Sequence, residues 1–200
     1  IFSVWWANCK TNAEKKHLGK ISDGFQYLGY VLKGRATSVR PQTRDRLIDS
    51  LITTFAQYSY SEKKALPILE WKINLRITGC IIDGRRYGWL FYFSQINDYR
   101  LLFHLDYLVG MLAQRYKVEV SKISLKRFIR AFHEIGKNLT NTKYIPDFDK
   151  INVNGMRDIL NNIFLTPNVS KLTEEQVKQR FRRRIYATIK DLEKDINRTS

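Results

Sequence analysis

Apolar residues recur at three- and four-residue spacing through most of this chain, and that period restricts it to a mainly helical fold. Leu47, Ile48, Leu51, Ile52 and Phe55 form one stripe in a helix beginning near Gln42, with Arg44, Asp45 and Asp49 facing elsewhere. A second helix is expected from about Ser61, with Pro67 inside its first turn, running through Leu69, Trp71, Ile73, Leu75 and Ile77 to Gly79. A third follows Asn97-Asp98 and carries Leu101, Leu102, Leu105, Leu108 and Leu112. Short joints between three such helices predict a compact bundle. Further helices are expected from Leu125 to Ile135 and from Asn154 to Phe164, with the turn-rich connector Tyr144-Ile145-Pro146-Asp147-Phe148-Asp149 between them. The terminal helix starts at a capping box, Thr173-Glu174-Glu175-Gln176, and carries the stripe Val177, Phe181, Ile185, Ile189, Leu192 and Ile196.

Residues 1–34 break the helical period and read as strands and turns. Ile1-Phe2-Ser3-Val4-Trp5-Trp6 is apolar and strand-like, and Asp23-Gly24 is a hairpin turn signal. In the strand after it, Phe25, Tyr27 and Gly29 fall on one face, and Gln26, Leu28 and Tyr30 on the other. Gly34 ends the pattern, and the segment to Pro41 is basic and extended through Lys33, Arg35 and Arg40, which places a domain change there. Cys80 to Gly88 reads as a loop with a basic tip at Arg85 and Arg86. The expected fold is therefore mainly α: a short β-hairpin, a three-helix bundle and a helical C-terminal extension, divided as 1–34, 35–118 and 119–200.

A net charge of +16 points to a polyanionic partner. Aromatic residues make up 13% of the chain. No apolar run approaches the ~20 residues of a bilayer span, so nucleic acid is favoured over membrane. Cys9 and Cys80 are too few for a disulfide framework and lack zinc-site spacing, which suits a reducing cytoplasm. His17, His104 and His133 are scattered, no Asp-Asp pair exists and no Gly-rich phosphate loop is present. A polymerase needs carboxylates converging on a metal pair, so this chain alone reads as a binding module. It opens at Ile1 without methionine and reads as part of something longer.

Asn8-Cys9-Lys10-Thr11 followed by Phe25-Gln26-Tyr27-Leu28-Gly29-Tyr30 resembles, in order and spacing, the segment that follows the catalytic Tyr-x-Asp-Asp hairpin in reverse transcriptases of the group II intron and retron type. That family continues into a helical thumb, which Trp71 to Gly79 and Tyr87-Gly88-Trp89-Leu90-Phe91-Tyr92-Phe93 resemble, with an extra loop between Gly79 and Gly88. The loop, Ser94-Gln95-Ile96-Asn97-Asp98 and Lys126 to Ile135 are most similar to the defence-associated reverse transcriptases of the unknown group, which act against phage.

The resemblance implies a C-terminal palm end, a thumb and an extension of an RNA-directed DNA polymerase. The palm and fingers, and the aspartates that hold two Mg²⁺ ions, would lie upstream. RNA template or non-coding RNA and DNA product are the implied partners, with homo- or hetero-oligomers also open. By the same resemblance Lys10 approaches the incoming triphosphate, or is a solvated strand-end lysine. Phe25, Tyr27, Leu28 and Gly29 take the place of the primer grip, against an ordinary hairpin that buries two aromatics.

Lys72 and Arg76 are four apart and share a helix face that either meets phosphates or faces solvent, while Arg40, Arg85 and Arg86 suit backbone contact. Arg182, Arg183 and Arg184, beside Arg180, either bind structured RNA or form a solvated face. Trp71, Trp89, Tyr92 and Phe93 are expected in the core. Two other readings compete: a non-catalytic maturase-like RNA-binding protein, and an oligomerisation scaffold pairing through Val177, Phe181, Ile185 and Ile189.

Overall fold

Three short strands open the computed structural model, which describes residues 23–196. β1 (Phe25–Tyr27), β2 (Tyr30–Lys33) and β3 (Ala36–Val39) form an antiparallel meander in that order. Tyr27 pairs with Tyr30, so the turn is Leu28-Gly29, and both residues have positive φ, +46° and +87°. That is the type I′ arrangement, whose twist matches the flanking strands. Asp23-Gly24, with Gly24 at φ +83°, lies before β1, and the strand it is expected to join to β1 falls outside the described residues. The second turn, Gly34-Arg35, joins β2 to β3, so the expected boundary after residue 34 falls inside a paired hairpin.

Helix α1 (Pro41–Tyr60) starts with proline in its first turn and buries Leu47, Leu51 and Phe55. Helix α2 (Leu66–Thr78) begins later than Ser61 and ends at Gly79, where φ is +67°. Ser61 instead terminates α1. Residues Cys80–Ile82 (β4) and Arg85–Tyr87 (β5) form a second hairpin, with Asp83 and Gly84 both at positive φ. The loop expected there is thus a ladder closed by an Asp-Gly turn, and Arg85 and Arg86 sit on a strand and not at the tip. Helices α3 (Trp89–Tyr92), α4 (Tyr99–Arg115) and α5 (Phe128–Lys137) follow, then α6 (Val153–Asp158), which passes into a wider π turn over Ile159–Ile163.

The last helix, α7 (Glu174–Glu193), begins at the expected capping box. The Thr173 hydroxyl accepts from the Gln176 amide, and the Gln176 side chain accepts from the Thr173 amide.

Two apolar clusters meet across α2. Leu47, Phe55, Ile73, Ile77, Trp89, Phe93, Leu102, Leu105 and Phe128 lie in the first. Leu75, Ile82, Phe148, Leu160, Phe181 and Ile185 lie in the second. The first cluster takes in Val118, Phe128, Ala131 and Ile145 together with Leu47, so the bundle core continues past residue 118. Val177, Phe181, Ile185 and Ile189 are each 0–3% exposed, packed within their own chain. Each such side chain contributes about 1.5–3 kcal/mol on burial. That stripe, on which the oligomerisation reading relies, is therefore not a free contact surface in this structure. Among the described residues, no helix is long and apolar enough to cross a membrane.

Candidate nucleic-acid interface

The Phe25 to Tyr30 hairpin divides into an outward and an inward half. Gly29 is buried and sits against Phe93: a Cβ there would lie 3.1 Å from the ring. The Tyr30 ring meets Phe93 edge-on at 5.1 Å, and its hydroxyl donates to the Tyr92 carbonyl at 2.7 Å. Partial burial raises the Tyr30 phenol above its ordinary range. The Arg40 amide donates to the Gly29 carbonyl at 2.8 Å, tying the turn to the start of α1. At the other end of the sheet, Asn97 accepts from the Thr37 amide at 2.9 Å and donates to the Arg35 carbonyl at 2.7 Å.

With that dock in place, Phe25, Tyr27 and Leu28 point away from the core, 50%, 64% and 63% exposed. The hairpin that buries two aromatics is thus excluded. Leu28 is the unusual residue, because a bulky side chain at φ +46° is disfavoured where Asn or Gly fits at lower cost. Arg40 Nε and Thr43 Oγ1, beside the turn, are shielded and have no hydrogen-bond partner among the described residues.

Arg86 belongs to neighbouring ground. With Tyr87, Gly88, Phe91 and Tyr92 it lines a shallow groove of about 410 Å³, and Tyr92 is the residue that holds Tyr30. Arg85 and Arg86 are both exposed on β5, where successive side chains alternate faces. At the turn of this hairpin, Arg182 Nη2 donates to both Asp83 oxygens at 2.8 and 2.6 Å, and the Tyr186 hydroxyl donates to the same carboxylate. Tyr186, Arg182 and Arg85 together hold the Asp83 carboxyl below its ordinary range. The Asp149 carboxylate accepts from the Asp83 and Gly84 amides, fixing the turn from the other side. Arg182 is therefore engaged with Asp83, whereas Arg183 points to solvent.

A second groove, about 740 Å³, runs between α1, α2 and α7. Lys72 and Arg184, distant in sequence, both line it, joined by Lys190 and Lys194 and opposed by Asp49 and Asp191. The Arg184 guanidinium also lies over the Phe164 ring at 5.7 Å.

Arg76 does not share the exposed face expected of it with Lys72. It is 3% exposed and donates at 2.8 Å to Asp195 Oδ2, Asp191 Oδ2 and Thr54 Oγ1. Its place beside Ile73 and Ile77 on the buried side of α2 explains this: Arg76 reaches the floor of the Lys72 groove with its guanidinium already held by two aspartates and a threonine. Burial pushes the Asp195 carboxyl up, against the opposing pull of Arg76. The half-exposed Asp191 is held low by Arg76 and Lys194 in spite of desolvation.

The hairpin meets the start of α1 at Arg40, and the Lys72 groove lies near Thr54, about 21 Å farther along the axis at 1.5 Å per residue. The outward row of α1 between them holds Gln42, Asp45, Asp49 and Thr53, so the cationic surface is not continuous.

Trp89 and Phe93 are core residues as expected, Trp71 is partly buried against Phe148 and Phe164, and Tyr92 is 40% exposed. Cys80 is buried, its thiol pushed up to about 12 by desolvation, so it offers no thiolate at neutral pH. Among the described residues, no three His, Cys, Asp or Glu side chains gather as a metal site. Lys10 and the Asn8 to Thr11 motif lie outside the described residues.

Sequence reasoning missed Asp83, Asp191 and Asp195, which decide which arginines are available. Asp195 could have been found from its place three residues after Leu192 on the apolar stripe of α7. No family model, curated protein or solved structure matches this chain.

Proposed function

We propose that this chain is the palm end and thumb of a reverse transcriptase, holding the duplex of RNA template and DNA primer by its backbone. The observation that carries the reading is the Phe25 to Tyr30 hairpin. Its Gly29-Tyr30 half is anchored on Phe93 and Tyr92, and its Phe25, Tyr27 and Leu28 half is presented to solvent on a strained turn. Strain of this kind persists where the surrounding structure enforces it and commonly marks a working surface.

In this reading Tyr27 and Leu28 lie against the primer strand. Gly29 lets the turn sit close to Phe93, and Arg40 and Arg86 supply cationic groups toward phosphates. Arg85 adds charge on the opposite face of β5, and Lys72 and Arg184 take backbone farther along the duplex. The Mg²⁺ ions would be held by aspartates outside this chain, so its own share is to bind and orient. An antiphage role belongs to the same proposal and rests on the resemblance of the Gly79 to Gly88 segment and of Lys126 to Ile135.

The test is affinity for an RNA–DNA hybrid as a function of salt. Each phosphate neutralised contributes a slope of about −0.9 in log K against log salt, so Arg85→Gln/Arg86→Gln should flatten the slope by about two units. An unchanged slope would remove β5 from the interface.

A further inference from the structure

The outer face of α4 carries the largest aromatic display on the described chain, and nothing in the duplex-holding reading uses it. Tyr99, Phe103, Tyr107 and Met111 follow one another at four-residue intervals and are 47%, 53%, 65% and 46% exposed. On an α-helix this spacing sets consecutive side chains about 6 Å apart along the axis, within about 120° of arc. Arg100 falls inside that arc, exposed and without an ion-pair partner among the described residues, and Arg115 closes the helix. The helix's one carboxylate, Asp106, is turned toward α5, where it accepts from the Phe128 amide at 2.5 Å and meets Arg127 at 3.4 Å. Tyr99 is already held as a platform, stacked on His133 with ring centroids 6.1 Å apart and planes 17° from parallel.

We infer that this face binds single-stranded nucleic acid, with bases stacked on Phe103 and Tyr107 and a phosphate at Arg100. The chemistry favours a polyanion, because the arc carries the Arg100 guanidinium and exposed rings with no exposed carboxylate. The spacing favours a single strand. Bases in a duplex are 3.4 Å apart along the axis and stacked on one another, so rings about 6 Å apart can each take a base only from an unstacked strand. The area speaks against a protein partner. Half-exposed rings of this size offer roughly 400 Å² in all, against the roughly 800 Å² that each side of a stable protein interface buries.

The inference stands apart from the duplex proposal, since no residue is shared. The experiment compares the 200-residue chain with its Phe103→Ala/Tyr107→Ala variant, by fluorescence anisotropy on a labelled oligo-dT and on a blunt hybrid duplex. The variant should lose about thirtyfold in affinity for oligo-dT, at the lower end of base-stacking strengths for two rings. Its salt slope and its duplex affinity should not change. Tyr107→Phe should bind like the parent, because the π-face is kept. Arg100→Gln should flatten the single-strand slope by about 0.7. Far-UV circular dichroism should match throughout, since these side chains pack on solvent.

Undiminished oligo-dT binding by the double variant overturns the inference, and so does an equal loss on duplex. A dimer in light scattering that the double variant abolishes would assign the face to a second copy and overturn it as well. Failure of the Arg85→Gln/Arg86→Gln test leaves this comparison intact, so the two readings fail separately.

Discussion

Replacing Arg76 with methionine should reduce folding stability by about 3–5 kcal/mol, the loss that follows when one member of a buried ion pair is removed. Arg76 is 3% exposed and holds three oxygens at 2.8 Å. Without it, Asp191 can turn to water, since its side chain is 46% exposed, but Asp195 is 1% exposed and has nowhere to go. Burial already raises the Asp195 carboxyl above the ordinary value of 3.8, and loss of the guanidinium removes what opposes that rise. A raised folded pKa gives a contribution that is full below the unfolded value and is lost as pH rises through the folded one. The Arg76→Met deficit should therefore be larger near about pH 8 than near about pH 4.5.

For a domain of this size a loss of about 3–5 kcal/mol lowers Tm by about 6–20 °C. Urea unfolding with an unchanged m-value is the assay of choice. Arg76→Met/Asp195→Leu should recover most of the loss, because apolar replacement of both members of a buried pair is often close to neutral. A single-variant loss under about 1 kcal/mol, or a double variant no better than the single, would refute the reasoning about this network.

Leu28→Asn should stabilise the chain by about 1 kcal/mol, since asparagine accepts the left-handed conformation more readily, and should weaken hybrid binding. A thermal melt and a binding titration on the same sample check both halves, and stability gained with affinity unchanged would separate Leu28 from the interface. Thr173→Ala should lose about 1 kcal/mol through the broken capping box, measured as a lower urea midpoint. Because the α7 stripe packs inside the chain, the same substitution should leave the molar mass in solution unchanged.

The helical period carried most of the fold. The α1 stripe, the Asp98 start of α4 and the Thr173 start of α7 all stand where periodicity and capping chemistry put them. The strands were harder to read, because β1, β4 and β5 are three residues each and too short to show alternation. The Asp83-Gly84 turn resembles any polar loop until its flanks are seen to pair.

Of the candidate site, the exposure of Phe25 and Tyr27 was not legible. The burial of their neighbours depends on Phe93, which joins the hairpin only in three dimensions. Arg76 was misread for a simpler reason. Spacing to Lys72 puts the two cations on one face, but spacing to Ile73 and Leu69, three and seven residues back, places Arg76 on the apolar side of α2. Arg182 was read as free charge because its partner, Asp83, lies on a distant hairpin.

The central claim is that the outward half of the hairpin touches a primer strand, and photocrosslinking tests it most directly. With p-benzoylphenylalanine in place of Tyr27, and Tyr60 at the far end of α1 replaced likewise as a control, each protein is irradiated on a hybrid with separately labelled strands. The account expects the Tyr27 probe to capture the DNA primer strand near its 3′ end, and the Tyr60 probe to give no capture there. Equal yields from the two probes, or capture by Tyr27 of neither strand, would contradict it.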